Sequence, residues 1–361
     1  MKRMLFSVLL ILPLALLQAL TPETRTAAKA ASSRGFAWLR AAQSQDGSWS
    51  DRRFPGLSAL VLWSMAAAKD TANTDSAKRA AAYIVSCAQP DGGIYVPVPG
   101  RLGSGLGNYN TCLCLTALHA HGDAAYNNVM LGARSYIAST QIETEGMHEG
   151  GFGYDRSSPR TYTDMNNTFY AIDAMTRTQA LEETRPASEK RVSVDWDAAR
   201  KYVLSMQQTE GDEKGGFFYT KTPPRKKPGQ TETPRLRTTG SMSYAGLLSM
   251  LHCKLTERDP RVRSTVAFLG NHWTLKENPG QGSQGLFFYY DVMTRALTAA
   301  GIDKLTLADG TALDWREALA KELISRQQAD GSWKNANNRF WEGDPALSTG
   351  YALLALSLLL Q

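Results

Sequence analysis

A seven-residue motif near each end of the chain restricts its fold more than any other sequence feature. The motif reads Gln-Ser-Gln-Asp-Gly-Ser-Trp at residues 43–49 and Gln-Gln-Ala-Asp-Gly-Ser-Trp at residues 327–333. Each copy lies between two stretches with a helical pattern of apolar residues. The Asp-Gly pair suits a tight turn, because glycine adopts positive φ without strain and aspartate bonds its own backbone. The chain is therefore predicted to be a repeat protein that begins and ends on the same unit.

Weaker copies of the turn occupy the middle of the chain. They are rich in glycine and aromatic residues and lie at residues 89–93, 150–154, 215–219 and 285–288. Six units follow from this count, and each contains one half-polar helix and one helix that is apolar nearly all round. Clear examples of the apolar kind are residues 57–65, 112–118 and 350–360. This alternation predicts an outer and an inner ring.

The predicted fold class is all-α, an (α/α)6 toroid of six helical hairpins. Residues 28–361 are predicted to form this toroid as a single domain, with the first outer helix near residues 33–43. The apolar end of the chain would then pack against the first repeat and close the circle. A closed array of this size is expected to have a large core.

Residues 1–27 have the pattern of a secretory signal peptide. Lys2 and Arg3 precede an apolar run that extends from Met4 to Leu17, and small and polar residues follow. The run is short for a membrane span, which needs about 20 residues, although Leu20 nearly extends it to that length. We predict an exported protein, periplasmic or secreted, whose leader is cleaved. The alternative is an uncleaved leader that anchors the protein at a membrane surface.

Composition excludes some partners and crosslinks. The formal net charge is +6 and the basic residues are spread along the chain, so no nucleic-acid partner is predicted.

The cysteines are Cys87, Cys112, Cys114 and Cys253, which are too few for a disulfide scaffold. We predict buried free thiols, with a bridge from Cys87 to the next helix as the alternative. The oligomeric state is not indicated by the sequence.

The two complete motifs resemble the QW repeats of squalene–hopene cyclases. A helix, Gln-x-x-Asp-Gly-Ser-Trp and a second helix are the hallmark of the terpenoid cyclase and protein prenyltransferase superfamily, and the resemblance extends from about residue 33 to the C-terminus. It implies an α/α toroid. In that superfamily the motifs are structural, with the glutamine capping helix ends and stacking on the tryptophan, so the resemblance assigns no catalysis to them.

The segment Asp164-Met165-Asn166-Asn167-Thr168 lies where squalene–hopene cyclases carry Asp-x-Asp-Asp-Thr. In that family the central aspartate protonates the substrate. Asn166 stands at the central position here and Asn167 follows it, and an amide cannot deliver a proton to an alkene. Proton-initiated cyclisation by this route is therefore not supported. Asp164 is retained and is the candidate catalytic residue.

Residues 109–115 resemble an inner helix of the protein farnesyltransferase β subunit. That family has a zinc-binding histidine where this chain has Asn110, and its Asp-x-Cys ligand pair has no counterpart here. Zinc sites need three or four nitrogen, sulfur or oxygen ligands, and the five histidines fall at no such spacing. We therefore predict no metal site and no cofactor.

Ligand chemistry is expected at the N-terminal ends of the inner helices, which surround one mouth of the cavity. Free N–H groups and the helix dipole favour polar or anionic ligand groups there. The competing interpretation is that these polar residues are N-caps of equivalent helices. The candidate ligand-binding residues at the mouth are Tyr109, Asn110, Asn166, Asn167, Tyr289, Tyr290, Asp291, Trp341, Glu342 and Asp344.

Three classes of function are compatible with these features. We expect a protein that binds an apolar small molecule, an isoprenoid or lipid, in its central cavity. The second class is an active enzyme, either terpene cyclase-like or carbohydrate-active, that uses carboxylates at the rim. The third is a protein-interaction scaffold. An open apolar cavity favours the first class, converging carboxylates favour the second, and a filled centre favours the third.

Overall fold

The structure is a computed structural model that describes residues 20–98, 106–155, 162–222 and 236–361. Twelve α-helices in these residues alternate between two rings. The outer helices are α1 (Pro22–Ala42), α3 (Thr74–Ser86), α5 (Asn127–Ala138), α7 (Trp196–Ser205), α9 (Pro260–Asn271) and α11 (Trp315–Ser325). The inner helices are α2 (Pro55–Ala68), α4 (Gly107–His121), α6 (Met165–Arg177), α8 (Gly240–His252), α10 (Leu286–Ala299) and α12 (Pro345–Leu359).

Short elements join these helices. The 3-10 helices are Thr71–Asn73, Ala124–Tyr126 and Gln179–Thr184. Strands β1 (Phe217–Phe218) and β2 (Thr238–Thr239) form one antiparallel pair, and β3 (Leu305–Thr306) and β4 (Ala312–Leu313) form another. Phe217 lies opposite Thr239 in the first pair, and Leu305 lies opposite Leu313 in the second.

The inner helices form a closed ring, in which each packs on the next and α12 packs on α2. Their composition explains this position, because every residue of α2 from Pro55 to Met65 is buried. In the outer helix α3, by contrast, the buried residues Ala77, Ala80, Ala81 and Ile84 recur every three or four positions and occupy one face. The predicted (α/α)6 toroid is confirmed.

The motif glutamines connect neighbouring outer helices. Gln43 Nε2 donates to the carbonyl oxygen of Ser76 in α3 at 2.9 Å, and Gln327 Nε2 donates to that of Ala31 in α1 at 2.8 Å. Each glutamine also donates to the carbonyl of the glycine in its own turn. Gln327 lies just after α11, so its bond to Ala31 joins the last outer helix to the first.

A tryptophan side chain anchors each complete motif beneath its turn. Trp49 Nε1 donates to the carbonyl oxygen of Leu39 at 2.8 Å, and Trp333 Nε1 donates to that of Leu323 at 2.7 Å. A second contact recurs in five of the turns, where a backbone N–H donates to a hydroxyl on the following inner helix. These pairs are Trp49 with Ser58, Ile94 with Thr111, Phe152 with Thr168, Phe217 with Ser243 and Trp333 with Thr349.

The fifth unit departs from the prediction. The segment 285–288 is not a turn, because Gly285 with φ 65° is the N-cap of α10 and the residues after it are helical. Its glycine and aromatic residues imitate the turn pattern. The connection from α9 to α10 is instead closed by Asn278, whose backbone N–H donates to the carbonyl oxygen of Gly282 at 2.7 Å.

The first helix begins earlier than predicted. Helix α1 starts at Pro22, so residues 22–27, which we assigned to the leader, belong to the ring. Thr21 caps this start through a bond from the backbone N–H of Thr24, and proline is favoured at the first position of a helix. Thr24 Oγ1 donates to Glu317 of α11 at 2.6 Å, and Ala28 is fully buried. Residues 1–19, which contain the apolar run of the predicted leader, lie outside the described residues.

Two further observations concern helix length and the cysteines of the described residues. Within the described part of the chain, no helix is both long and apolar enough to cross a membrane. All four cysteines are buried and free, as predicted, so Cys87 forms no bridge. Burial raises the pKa of the Cys112 and Cys114 thiols well above the usual value, which keeps both thiols protonated and unreactive.

Candidate functional site

The N-terminal ends of the six inner helices surround an open cavity of about 310 Å³. This volume is at the lower end of the range of about 300–1,000 Å³ that is common for ligand pockets. Aromatic side chains dominate its wall: Phe54, Tyr109, Tyr154, Tyr170, Tyr219, Phe288, Phe340, Trp341 and Tyr351. The aliphatic lining residues are Leu57, Leu106, Met242 and Leu347, and the polar ones include Asn166, Ser241, Asn278, Gln281, Arg339 and Glu342.

Four of the predicted mouth residues line this cavity, namely Tyr109, Asn166, Trp341 and Glu342. Tyr109 and Asn166 belong to the first turns of α4 and α6, while Trp341 and Glu342 lie in the loop before α12. The Trp341 ring is 39% exposed and contacts Phe54 edge to face, with ring centroids 4.4 Å apart. It therefore forms part of the outer wall.

Other predicted residues cap helices instead of lining the cavity. Asn110 Oδ1 accepts a backbone N–H bond from the first turn of α2 at 3.0 Å. Asp344 Oδ1 accepts one from the first turn of α12 at 2.8 Å. Asn167 Nδ2 donates to Asp164 Oδ2 at 2.8 Å. The N-cap interpretation accounts for Asn110 and Asp344, because the orphan N–H groups of a helix start need such acceptors. Asn167 is not a cap but donates to Asp164, the N-cap residue of α6.

Tyr289 and Tyr290 also lie outside the cavity. Their rings are buried between α10 and the loop before it, where Tyr289 donates to the carbonyl oxygen of Thr274 at 2.9 Å. Tyr290 donates to the carbonyl oxygen of Leu275. Both phenols hold this loop against the inner ring, so the prediction that they bind a ligand at the mouth is not supported by their positions.

Asp164 is the N-cap of α6 and does not reach the cavity. It is fully buried, and one carboxylate oxygen accepts from the backbone N–H of Asn167 at 2.8 Å. Burial raises the pKa of Asp164 to about 6, although the bonds from Asn167 oppose the shift. Asn166, which lies between Asp164 and Asn167 in the chain, lines the cavity. Its Oδ1 is buried and has no hydrogen-bond partner among the described residues.

The carboxylate of Glu342 occupies the N-terminal end of α10. Its Oε1 accepts from the backbone N–H of Phe288 at 2.8 Å, and its Oε2 accepts from Asn335 Nδ2 at 2.7 Å. Burial raises the pKa of Glu342, and the N–H groups of the helix start oppose this. The positive helix end that could hold an anionic ligand is thus already neutralised by a side chain of the protein.

A cluster of charged side chains fills the ring below the cavity. Asp173 accepts bonds from Arg177 at 2.9 Å, from Arg295 at 2.9 Å and from His252 at 3.0 Å. Burial would raise the pKa of Asp173, but the charges of Arg177 and Arg295 hold it well below its usual range. Asp291 lies 3.5 Å from Arg295, and burial raises the pKa of Asp291 to about 6 against the effect of that arginine.

Asp291 is therefore not the rim carboxylate that we predicted. It is fully buried and belongs to the cluster rather than to the cavity wall. The other members of this cluster were not predicted from the sequence. The available signal was that charged residues such as Asp173 and Arg295 lie in the interior of helices assigned to the inner ring.

Two deep lining residues were also missed. Tyr170 follows Asn166 by four positions in α6, and Tyr351 follows Leu347 by four positions in α12. Residues four apart share a helix face, so this spacing was the signal that could have placed both tyrosines in the cavity.

As for metals, no group of three or more His, Cys, Asp or Glu side chains in the described ranges could hold an ion.

Comparisons with known proteins place this arrangement among solved toroids. No protein-family model and no curated protein sequence matches the chain. The type II terpene cyclase MstE from Scytonema matches with a TM-score of 0.58 and 13% identity, over 93% of this chain and 98% of that chain. Protein geranylgeranyltransferase-I from Candida albicans matches with a TM-score of 0.58 and 11% identity, over 91% and 90%. The chain has the α/α-toroid fold of terpene cyclases and protein prenyltransferases.

The same toroid fold occurs in a carbohydrate-directed protein. A family 76 glycoside hydrolase (mannosidase) from Bacteroides thetaiotaomicron matches with a TM-score of 0.57 and 15% identity, over 92% of this chain and 98% of that chain. At such identities the likeness concerns the fold alone. The function of this toroid must therefore be argued from its own cavity.

Proposed function

We propose that this protein binds an apolar small molecule, of the isoprenoid or lipid class, in the cavity at the mouth of the toroid. The cavity lining is the observation that carries the proposal. Nine aromatic and four aliphatic side chains face a space of about 310 Å³, and Glu342 is the one carboxylate among the described lining residues. Apolar surface that leaves water on binding contributes about 25 cal/mol per Å².

The structural neighbours support the same ligand class. MstE from Scytonema has been solved with geranylgeranyl dihydroxybenzoate as substrate, and the Candida albicans geranylgeranyltransferase-I with GGPP. Those ligands belong to those proteins. They bear on this chain because the fold that it shares with them accommodates isoprenoid groups in both cases.

An enzyme that uses rim carboxylates has less support. Glycoside hydrolysis commonly requires two carboxyl groups on either side of the scissile bond. The described lining supplies only Glu342, and both of its oxygens are engaged by the start of α10 and by Asn335. Asp164 and Asp344 act as helix caps. The carboxylates of the mouth therefore stabilise helix ends instead of converging on a substrate.

An interaction scaffold also has less support, because a scaffold needs no open centre. The charge cluster around Asp173 fills the lower part of the ring, but the upper part is open and is lined by residues from all six inner helices or the loops before them. Large apolar surface left open in a protein commonly marks a binding site. The upper cavity therefore favours a ligand.

An acid-initiated enzyme is the second candidate, and Asp291 is the residue that favours it. Its Oδ1 is buried without a hydrogen-bond partner among the described residues. Besides burial, which is the larger cause, its negative charge raises the pKa of the Tyr109 and Tyr170 phenols in the cavity wall. With a pKa of about 6 the carboxyl could hold a proton near neutral pH. Incubation with prenyl alcohols, followed by gas chromatography–mass spectrometry, tests this. Product that forms with the wild type and is lost in Asp291→Asn would support it, and absence of product would remove it.

We further propose export, with a leader that ends earlier than residue 27. The contacts of Thr21 and Thr24 with Glu317 make the start of α1 part of the toroid, which supports a mature chain that begins near Leu20. N-terminal sequencing of the protein isolated from its own cell envelope or medium tests this proposal. A mature terminus inside α1 would contradict it, and an intact Met1 in the membrane fraction would favour an anchor.

Ligand binding can be tested with a variant that fills the cavity. Met242 lines the cavity, whereas Met147 is 49% exposed and is not among the lining residues. Native mass spectrometry of residues 20–361 with farnesol is expected to show a one-to-one complex for the wild type and for Met147→Trp. Met242→Trp should lose the complex while it keeps the helical circular dichroism spectrum. Equal binding by Met242→Trp, or no complex with the wild type, would contradict the proposal.

A further inference from the structure

The deepest part of the cavity is formed by tyrosine side chains. Tyr170 is the sixth residue of α6 and Tyr351 the seventh residue of α12, whereas Tyr109, Phe288 and Leu347 are each the third residue of their helices. The helix N-termini surround the mouth, and each residue advances about 1.5 Å along a helix. Tyr170 and Tyr351 are thus about a turn further from the mouth than the rest of the lining.

Three phenols meet at this depth. The hydroxyl oxygens of Tyr170 and Tyr351 are 3.4 Å apart, and the Tyr109 hydroxyl interacts with both. The Tyr109 and Tyr170 rings lie edge to face with centroids 5.1 Å apart. Tyr170 and Tyr351 are 3% and 4% exposed, and burial raises the pKa of both, so the phenols stay protonated. We call Tyr109, Tyr170 and Tyr351 the phenol floor.

The hydroxyls of the phenol floor bond one another rather than the backbone. Some other buried tyrosines in this chain donate to backbone carbonyls, as Tyr83 does to Arg52 at 2.6 Å and Tyr289 to Thr274 at 2.9 Å. Among the described residues, the hydroxyls of the floor have only one another as partners. A separation of 3.4 Å is long for an O–H···O bond, which is commonly about 2.7–2.8 Å.

A phenol held by such a long bond keeps its O–H available to a ligand or to water, and a few polar groups in an apolar pocket commonly fix the orientation of its ligand. We propose that the phenol floor binds an oxygen atom at the inserted end of the ligand. The ligand is then an oxygen-bearing isoprenoid, such as an alcohol, ketone or ether, and not a hydrocarbon. This inference rests on the proposed function and specifies the class and orientation of the molecule that occupies the same cavity.

The opposite end of the cavity agrees with this orientation. Phe340 and Trp341 are 47% and 39% exposed at the mouth, and Phe54 packs against the Trp341 ring. The carboxylate of Glu342 is turned to α10 and Asn335. An isoprenoid that enters oxygen first places its hydrocarbon tail among these aromatic rings. The reverse orientation would set hydrocarbon against three hydroxyls, which would then have only one another as partners among the described residues.

A pair of probes that differ by one oxygen tests the inference. Farnesol and the hydrocarbon in which its CH2OH group is replaced by CH3 have nearly the same size and shape. Dissociation constants can be measured by displacement of a fluorescent apolar dye from residues 20–361. We expect the wild type to bind farnesol about tenfold more tightly than the hydrocarbon, which is the effect of about one buried hydrogen bond.

Variants of the floor assign the preference to its hydroxyls. Tyr170→Phe and Tyr351→Phe, each tested alone, should bring the two dissociation constants to within about twofold of one another, because the loss of the hydroxyl removes the bond to the ligand oxygen. The hydrocarbon should bind these variants and the wild type alike. Tyr289→Phe is the matched control, since it removes a buried hydroxyl that bonds Thr274 outside the cavity, and it should keep the preference.

The outcomes separate this inference from the function on which it rests. If neither probe binds the wild type, the proposed function fails and the inference with it. If both probes bind the wild type with equal affinity, or if both floor variants keep the preference for farnesol, the inference is wrong and the proposed function stands. Circular dichroism shows whether each variant is folded, and either floor variant alone is sufficient for the test.

Discussion

Gln327 Nε2 donates a hydrogen bond to the carbonyl oxygen of Ala31 at 2.8 Å, and the two residues are 296 positions apart in the chain. The bond joins the turn after the last outer helix to the middle of the first. Arg34, one turn further along α1, donates to the Oε1 atom of the same glutamine. Both polar atoms of this side chain therefore contribute to the closure of the outer ring, together with the bonds of Thr21 and Thr24 to Glu317.

The loss of this closure is expected to destabilise the whole toroid. Gln327→Ala removes the bonds to Ala31 and Gly331 and leaves both carbonyl oxygens short of a donor. We expect the free energy of unfolding to fall by about 2 kcal/mol, measured by urea denaturation. Gln208→Ala is the control, because Gln208 bonds only locally to Glu210 on the surface. Equal losses in the two variants would show that ring closure has no special weight.

The turn glycines are expected to be sensitive to the addition of one methyl group. Gly47 has φ 89°, and a Cβ there would lie 2.3 Å from the carbonyl oxygen of Arg79. Gly122 has φ 80° with nothing within 4 Å of such a Cβ. Gly122→Ala should cost only the left-handed backbone penalty of about 1–2 kcal/mol. Gly47→Ala should cost roughly 1–3 kcal/mol more through overpacking, which thermal unfolding of both variants would reveal as different midpoints.

Arg295 is expected to be the most sensitive residue of the charge cluster. Its side chain is 1% exposed and lies between Asp173 and Asp291, so Arg295→Met leaves two buried carboxylates without this cation. We expect a loss of about 3–5 kcal/mol in urea denaturation. Arg177→Met is the matched comparison, because Arg177 is 36% exposed and its loss should cost about 1 kcal/mol. A smaller loss for Arg295→Met than for Arg177→Met would refute this account of the cluster.

Asp164 is expected to make stability depend on pH. Its folded pKa of about 6 is above the usual aspartate value of 3.8, so between these values the folded state binds more protons than the unfolded state. Stability from this group is therefore present at low pH and lost as pH rises from about 4 to 6. In urea titrations the wild type should gain about 2–3 kcal/mol relative to Asp164→Asn when the pH falls from 7 to 4. A difference between the two proteins that is independent of pH would contradict the raised pKa.

Several elements were predictable because their cause is local. The turn at Gly47 follows from an Asp-Gly pair between two helix patterns, and the inner position of α2 follows from its apolar residues on every face. The start of α1 was misplaced because its Thr-Pro start signal lies directly after the apolar run of the predicted leader, where small and polar residues are also expected. What distinguishes the two here is the contact of Thr24 with Glu317, which no local pattern contains.

The candidate site was predicted only in part. Asn110 and Asn166 are both polar residues in the first turn of an inner helix, and both were predicted from the sequence to bind a ligand at the mouth. The structure separates them, since Asn110 bonds the start of α2 across 54 positions and Asn166 lies in the cavity wall. Which of two such residues caps a neighbour and which lines the cavity depends on the rotation of each helix against the next.

The sequence by itself determined the repeat, the turns and the two kinds of helix, because hydrophobic period and turn chemistry act over a few residues. Only the tertiary structure decided where the cavity ends and what forms its floor. Arg295 meets Asp173 across 122 positions, and Tyr170 meets Tyr351 across 181. These contacts arise when the ring closes, and the free energy of each depends on burial that the closed ring creates.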